Sequence, residues 1–179
     1  MFALNENVVY PGYGVARVSR IFERTIGTQV ACFYELRFLH KDMTILVPVD
    51  NLTAVGVRSL NSLACVAQVR QIMATPAQPQ VRADMCAASS WNKRNKRYQA
   101  QLRGGNLVEI AKIYRDLQCL AHEKDLSFGE RALLVQTEAL LAEEIALIEQ
   151  GAVEQVMLEL RGFFGTTCAV SRKESVQRI

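Results

Sequence analysis

One short stretch of the sequence combines the residue types that bind nucleic acid. Trp91 is the only tryptophan among 179 residues, and four of the six residues that follow it are basic, namely Lys93, Arg94, Lys96 and Arg97. Cations at this density can hold a phosphate backbone, and an aromatic ring beside them can occupy an unstacked base step. The stretch therefore predicts contact with a nucleic acid.

The charge around this stretch is uneven, although the whole chain has a formal net charge of only +3. Residues 85–108 contain no acidic residue and carry +5, whereas residues 109–149 contain nine acids and four bases, or −5. Charge runs on helices are more often a solvated face than a binding site. Composition alone leaves two interpretations open, a nucleic-acid surface or a solvated basic helix with one core Trp.

Helical spacing bears on the choice between these interpretations. Trp91, Arg94, Tyr98 and Leu102 fall roughly on one face, at steps of three and four. On such a face the Trp91 ring could pack beneath Tyr98 and Leu102 as part of a core. Trp91 lies at the start of the predicted helix, however, where less of the helix can cover a large ring.

Catalytic and metal-binding motifs are absent from the sequence. No Walker loop, GxSxG or HExxH pattern occurs, and the five cysteines include no CxxC pair that would indicate zinc. Cys119 and His122 are one helical turn apart, but no third group orients them for nucleophilic catalysis. We expect a protein that is not an enzyme and uses no metal or cofactor, with a cysteine-dependent enzyme as a remaining alternative.

The first 57 residues are predicted to form an N-terminal domain of short antiparallel strands. Strand-forming residues occupy 7–10, 15–22, 29–39 and 43–47, and residues 51–55 are a candidate closing strand. Residues 23–28 are predicted to form a hairpin loop with Gly27 at its tip. Such a meander indicates a small antiparallel β-barrel of the SH3/Tudor type.

The chain from residue 58 to 150 is predicted to form a compact all-helical C-terminal domain, so the fold class is α+β. Helical spacing runs to Ala74, a Pro-containing break follows, and a helix resumes near Gln80 or Val81. Further helices are predicted over 90–103, from a cap at Asn106, and from a Ser127–Glu130 capping box to about residue 150. Residues 151–179 are a C-terminal extension, helical to about residue 160 and disordered from Gly162.

Features of membrane and secreted proteins are missing. No run approaches the ~18 apolar residues that a membrane span needs, and the first residues lack the basic and apolar regions of a secretory signal. We therefore expect a cytoplasmic protein that does not contact membranes.

Several short motifs, taken together, resemble one family. In the N-terminal part they are VVYPGYGV at 8–15, ERTI at 23–26, VPVDN at 47–51 and VGVR at 55–58. In the C-terminal part they are WNKR at 91–94, YRDL at 114–117 and LSFGER at 126–131. Each motif alone is weak, but in this order and spacing residues 4–150 resemble the CarD/CdnL bacterial transcription regulators.

The resemblance implies a non-enzymatic protein with two binding surfaces. Its Tudor-like domain would bind the β subunit of RNA polymerase, and the contact residues would be Arg24, Ile26, Leu46 and Pro48. Its helical domain would insert Trp91 into the minor groove of promoter DNA at the upstream edge of the transcription bubble, which stabilises the open complex. The cations after Trp91 would hold phosphates, largely without reading sequence.

Two departures from the family pattern affect these expectations. A basic residue is common in the family at the position of Leu46, so the polymerase contact differs here, and the segment 151–179 has no recognisable counterpart. We expect a monomer that associates with the nucleoid. The alternative function is a polymerase- or protein-binding adaptor without a DNA role. The coupling-factor relatives of the barrel are ATPases, but no ATPase motif occurs in this sequence.

Overall fold

The computed structural model describes residues 1–75 and 91–176, including all of their side chains except those of residues 26 and 165–176. A five-stranded antiparallel sheet is followed by helices, which confirms the predicted α+β fold class with its Tudor-like sheet and helical C-terminal part. The predicted break after Ala74 and the helix start near Gln80 or Val81 lie outside the described residues.

The N-terminal sheet has the strand order β4-β3-β2-β1-β5. Its strands are β1 Asn7–Tyr10, β2 Gly14–Ile26, β3 Gln29–Phe38, β4 Thr44–Pro48 and β5 Arg58–Ser59. Successive side chains of a strand point to opposite faces, so one face of the sheet can enclose an apolar core. That core contains Val8, Ala16, Val18, Tyr34, Leu36, Phe38, Val47 and Leu52.

Two local predictions for the sheet are wrong. Most of the predicted loop at 23–28 is strand, because β2 and β3 stay paired as far as Ile26 and Gln29. Only Gly27 and Thr28 remain for the turn, and Gly27, at φ +64, adopts the left-handed conformation that a two-residue hairpin turn needs.

Residues 51–55 are helical rather than a strand, since Leu52 reaches the core from the short helix α1, Leu52–Val55. The strand β5 pairs with β1 instead and extends the sheet past residue 57.

Five longer helices follow the sheet in the described part of the chain. They are α2 Leu63–Ala74, α3 Trp91–Gly104, α4 Leu107–Glu123, α5 Phe128–Glu149 and α6 Val153–Val176. Both predicted caps are confirmed: the Asn106 side chain accepts from the Val108 amide at 2.9 Å, and Ser127 and Glu130 form a capping box. The apolar face predicted for α4 is buried, as expected from its 3.6-residue periodicity.

Helix α6 differs from the sequence-based prediction. Regular structure does not end near Gly162, since the helix continues through Val176. Its first turns bury Val156, Leu160 and Phe164 in the same core as the other helices. The Arg161 guanidinium also donates to both carboxylate oxygens of Glu138 on α5, at 2.8 and 2.6 Å. The predicted extension therefore begins inside the helical core.

The sheet and the helices meet at a partly buried polar contact. The Arg58 guanidinium donates to both carboxylate oxygens of Glu144 at 2.7 and 2.8 Å, and to the Gly105 carbonyl at 2.9 and 2.7 Å. The main-chain and side-chain N–H groups of Asn61 donate to the same carboxylate at 3.0 and 2.8 Å. Charge-assisted bidentate bonds add geometric specificity to their energy. This contact therefore fixes how the helices are placed against the sheet.

Candidate functional site

Trp91 lies at the start of α3, with its side chain half-buried against the helical core. One side of the indole rests on the first turn of α5, where a Cβ added to Gly129 would lie 2.8 Å from Trp91 Cζ2. A side chain at residue 129 would therefore push the ring away. The indole is neither a fully exposed wedge nor a fully buried core residue: one part of it is packed and another part faces solvent.

Arg94, predicted to hold phosphate with the other cations after Trp91, does not lie on a solvated face. Its side chain is only 6% exposed, and its Nη2 donates to Glu130 Oε1 at 2.8 Å. The guanidinium carbon lies 5.8 Å from the centroid of the Trp91 ring, within the range of a cation–π interaction. The physical reason is the shared helix face of Trp91, Arg94, Tyr98 and Leu102, which turns inward. Arg94 thus supports the indole from within the protein.

Glu130 anchors this arrangement at the start of α5. The amide and the hydroxyl of Ser127 donate to Glu130 Oε2 at 2.9 and 2.8 Å, and Lys124 Nζ lies 3.6 Å from Oε1. Burial by itself would raise the pKa of Glu130, but the hydrogen bonds from Ser127 and the charges of Lys124 and Arg94 outweigh it and lower that pKa. Glu130 is therefore ionised at neutral pH and provides a full counter-charge to Arg94.

The other predicted phosphate-binding cations are exposed. Lys93, Lys96 and Arg97 all project into solvent from α3. The Arg97 guanidinium carbon lies 5.4 Å from the ring centroid of Tyr98, so the charged end of this side chain contacts that ring. Three of the four predicted cations are thus placed where a polyanion can reach them.

Phe128 is a candidate residue that sequence reasoning did not select. It is the first residue of α5 and is 91% exposed, although a phenylalanine ring gains free energy from burial. Its neighbour Gly129 contacts the Trp91 indole. The sequence signal was the position of this apolar residue directly after the Ser127 cap, outside the stripe that packs inward. We call Trp91, Phe128 and the exposed cations Lys93, Lys96 and Arg97 the wedge surface.

The residues predicted to contact polymerase lie on the sheet, two of them near the β2–β3 turn and two farther from it on β4. Arg24 is exposed on β2, whereas Leu46, 45% exposed, and the half-buried Pro48 are on β4. Their paired positions on β3 are, respectively, Ala31, Glu35 and Phe33. These three positions alternate along one strand, so the register places Arg24, Leu46 and Pro48 on the same face of the sheet. Ile26 pairs with Gln29 at the end of β2.

Two aromatic side chains complete this face, and the sequence did not point to them. Phe22 and Phe33 are directly opposite each other on β2 and β3, and their half-buried rings stack with centroids 6.0 Å apart. Their roles become visible only from the register, which puts Phe33 between Phe22 and Pro48. We call the set Phe22, Arg24, Phe33, Leu46 and Pro48 the hairpin face.

Within residues 1–75 and 91–176, no cluster of three or more His, Cys, Asp or Glu side chains has an arrangement that could hold a metal ion. Over the same ranges, no helix has the length and apolar character required to cross a membrane.

Comparison with known proteins gives matches to both halves of the chain. The model of the CarD-like/TRCF RID domain matches residues 2–60, and that of the CarD C-terminal domain matches residues 81–160. The chain is 22% identical over 156 residues to the "Putative transcription factor YdeB" of Bacillus subtilis (strain 168), with 87% of this chain and 97% of that protein covered. It is also 34% identical to the 72-residue N-terminal domain of Myxococcus xanthus CarD, solved by solution NMR. That match covers 33% of this chain and 79% of the other, with a TM-score of 0.30.

Proposed function

Because the chain belongs to the CarD/CdnL family of transcription regulators, as its sequence predicted, we propose that it binds the β subunit of RNA polymerase and stabilises the open promoter complex. The single observation that supports this best is that one chain carries two separate surfaces, the exposed hairpin face and the wedge surface. The polar contact around Arg58 and Glu144 holds the parts that carry them in one geometry. We infer a monomer that acts in the cytoplasm, at the nucleoid.

The hairpin face has the composition of a protein-binding surface. It combines one exposed cation, Arg24, with the stacked rings of Phe22 and Phe33 and the apolar side chain of Leu46. Protein interfaces are enriched in aromatic and arginine side chains at their centres. Since Leu46 replaces a cation common in the family, we infer that apolar burial contributes more to the polymerase contact here than a second ion pair does.

The wedge surface suits the upstream edge of the transcription bubble. The Trp91 ring is held by Gly129 on one side and Arg94 nearby, so little conformational entropy remains to be lost when it inserts. Separating two stacked bases costs a few kcal/mol. An inserted apolar ring stabilises the separated step, which would otherwise restack. Phe128, next to the Gly129 that contacts the indole, supplies a second exposed ring, and the exposed cations hold phosphates without reading bases.

Reversal of the charge at Arg24 tests the polymerase contact. Arg24→Glu should weaken binding to the isolated β subunit by about 1–3 kcal/mol, because it removes one attraction and adds a repulsion at the interface. The measurement is a two-component affinity titration with purified β subunit.

Lys112→Glu is the matched control for this titration. It reverses the charge of an exposed side chain on α4, away from the hairpin face, and should leave the affinity unchanged. Equal affinities for the wild type and Arg24→Glu would remove Arg24 from the proposed contact.

Salt dependence tests the DNA contact of the wedge surface. If Lys93, Lys96 and Arg97 each neutralise one phosphate, replacing all three by Ala should make the slope of log K against log salt less negative by about 2.7. The variant should fold normally, since all three side chains are exposed. A slope identical to that of the wild type would favour the adaptor without a DNA role, provided that β-subunit binding persists.

A further inference from the structure

A second basic surface lies on the sheet, at the opposite end from the β2–β3 turn. A groove of about 700 Å³ there is lined mainly by polar and charged side chains. Its charged side chains are Arg17, Arg37, Lys41 and Asp42, with His40 beside them. Three of these carry a permanent positive charge and one carries a negative charge, so the groove is cationic.

The groove contains an arrangement that sheets normally avoid. Arg17 on β2 and Arg37 on β3 are directly opposite each other in the antiparallel pair, where like charges destabilise the sheet. Arg17 donates to the neutral side-chain oxygen of Asn7 at 3.2 Å. Among the residues that the structure describes, neither arginine forms an ion pair. The nearby carboxylate of Glu35 is engaged by the Ser19 hydroxyl at 2.7 Å. An external anion would relieve this repulsion.

We propose that this groove binds the phosphate backbone of duplex DNA, as a second DNA contact in addition to the wedge surface. The inference rests on the proposed function, since it extends the same promoter contact. Interfaces with DNA are more polar and more positive than interfaces with proteins. The groove fits the description of a DNA interface, because its lining is mainly polar and charged and the one aromatic residue in that lining, Phe38, is 4% exposed.

The groove is also near the helix that carries part of the wedge surface. The Lys41 ammonium in its rim donates to the Tyr13 carbonyl, and the adjacent Gly12 carbonyl accepts from Gln136 on α5 at 3.2 Å. Gln136 is eight residues from Phe128 on that helix, which corresponds to about 12 Å along its axis. Duplex DNA carries one charge per about 1.7 Å of axis, so over a distance of this order a duplex presents several phosphates to the protein.

The test is the binding of the full chain to a fluorescent duplex oligonucleotide at several salt concentrations, without polymerase. Arg17→Gln together with Arg37→Gln should lower the affinity and make the slope of log K against log salt less negative by about 1.8, the value for two phosphates. Lys112→Gln, at a cation already paired with Glu109, is the control and should change neither. Thermal unfolding should show the double variant to be at least as stable as the wild type, because the repulsion is gone.

Each other outcome of this experiment overturns the inference. An unchanged slope excludes a phosphate contact, and an unchanged slope together with weaker binding to the isolated β subunit, titrated separately, assigns the groove to an acidic protein surface. A rise in the unfolding temperature of the wild type on addition of inorganic phosphate, with no effect of the double variant on duplex binding, shows a small-anion site only. Because polymerase is absent and Trp91 is intact, a failure here leaves the polymerase and wedge proposals standing, and a failure of those leaves this measurement interpretable.

Discussion

Replacing Arg94 by alanine is expected to lower the free energy of unfolding by about 3–5 kcal/mol, because it leaves a buried carboxylate without its closest counter-charge. Glu130 is 1% exposed and accepts from Arg94 at 2.8 Å, whereas Lys124 lies farther away at 3.6 Å. The loss is measured by urea denaturation followed by circular dichroism. The emission of the single tryptophan should shift in the same variant, since the Arg94 guanidinium lies near its ring.

Two comparisons isolate the buried ion pair as the cause. Lys93→Ala, at the adjacent exposed position, should change stability by less than about 0.5 kcal/mol. Arg94→Met combined with Glu130→Gln removes both charges but keeps a side chain suited to the capping box, and should regain most of the lost stability. If Arg94→Ala lowered the free energy of unfolding as little as Lys93→Ala, the buried ion pair would be contradicted. Arg94 would then be an exposed cation like Lys93.

The second large effect is expected at Trp91, where stability and function should separate. Trp91→Ala should cost about 1–2 kcal/mol of stability, between the value for a surface site and the 3–5 kcal/mol for a fully buried large aromatic, because the ring is half-buried. It should shorten the lifetime of open promoter complexes about tenfold, if the inserted ring contributes about 1.4 kcal/mol to the barrier for closure.

Gly129→Ala provides the matched variant, because it should displace the indole without removing it. The added Cβ would lie 2.8 Å from Trp91 Cζ2, so we expect a shorter open-complex lifetime here as well. Gln99→Ala, at an exposed position of α3, should behave as the wild type. If Trp91→Ala left both stability and lifetime unchanged, the indole would have no part in the open complex.

Features that depend on neighbouring residues could be predicted from the sequence. The Asn106 cap and the Ser127–Glu130 capping box use hydrogen bonds between residues two or three positions apart, so their residue types are sufficient evidence. The inward face of α4 follows in the same way from helical periodicity. The exposed positions of Lys93 and Lys96 agree with the solvated face that the charge run predicts.

Features that depend on distant partners could not be predicted. Arg94 is buried because Glu130, 36 residues later, supplies a counter-charge, and nothing near Arg94 in the sequence identifies that partner. The stacked pair of Phe22 and Phe33 likewise depends on the register between two strands. The predicted disorder from Gly162 failed for the same reason, since Phe164 is buried against distant helices in the shared core.

The most direct test of the proposed function is the lifetime of open complexes formed by purified bacterial RNA polymerase on a promoter, challenged with a competitor, with and without this protein. We expect the wild-type chain to lengthen that lifetime, and both Arg24→Glu and Trp91→Ala to remove most of the gain for their separate reasons. A lifetime that is the same with and without saturating wild-type protein, under conditions where β-subunit binding is demonstrated, would contradict the proposed stabilisation of the open complex.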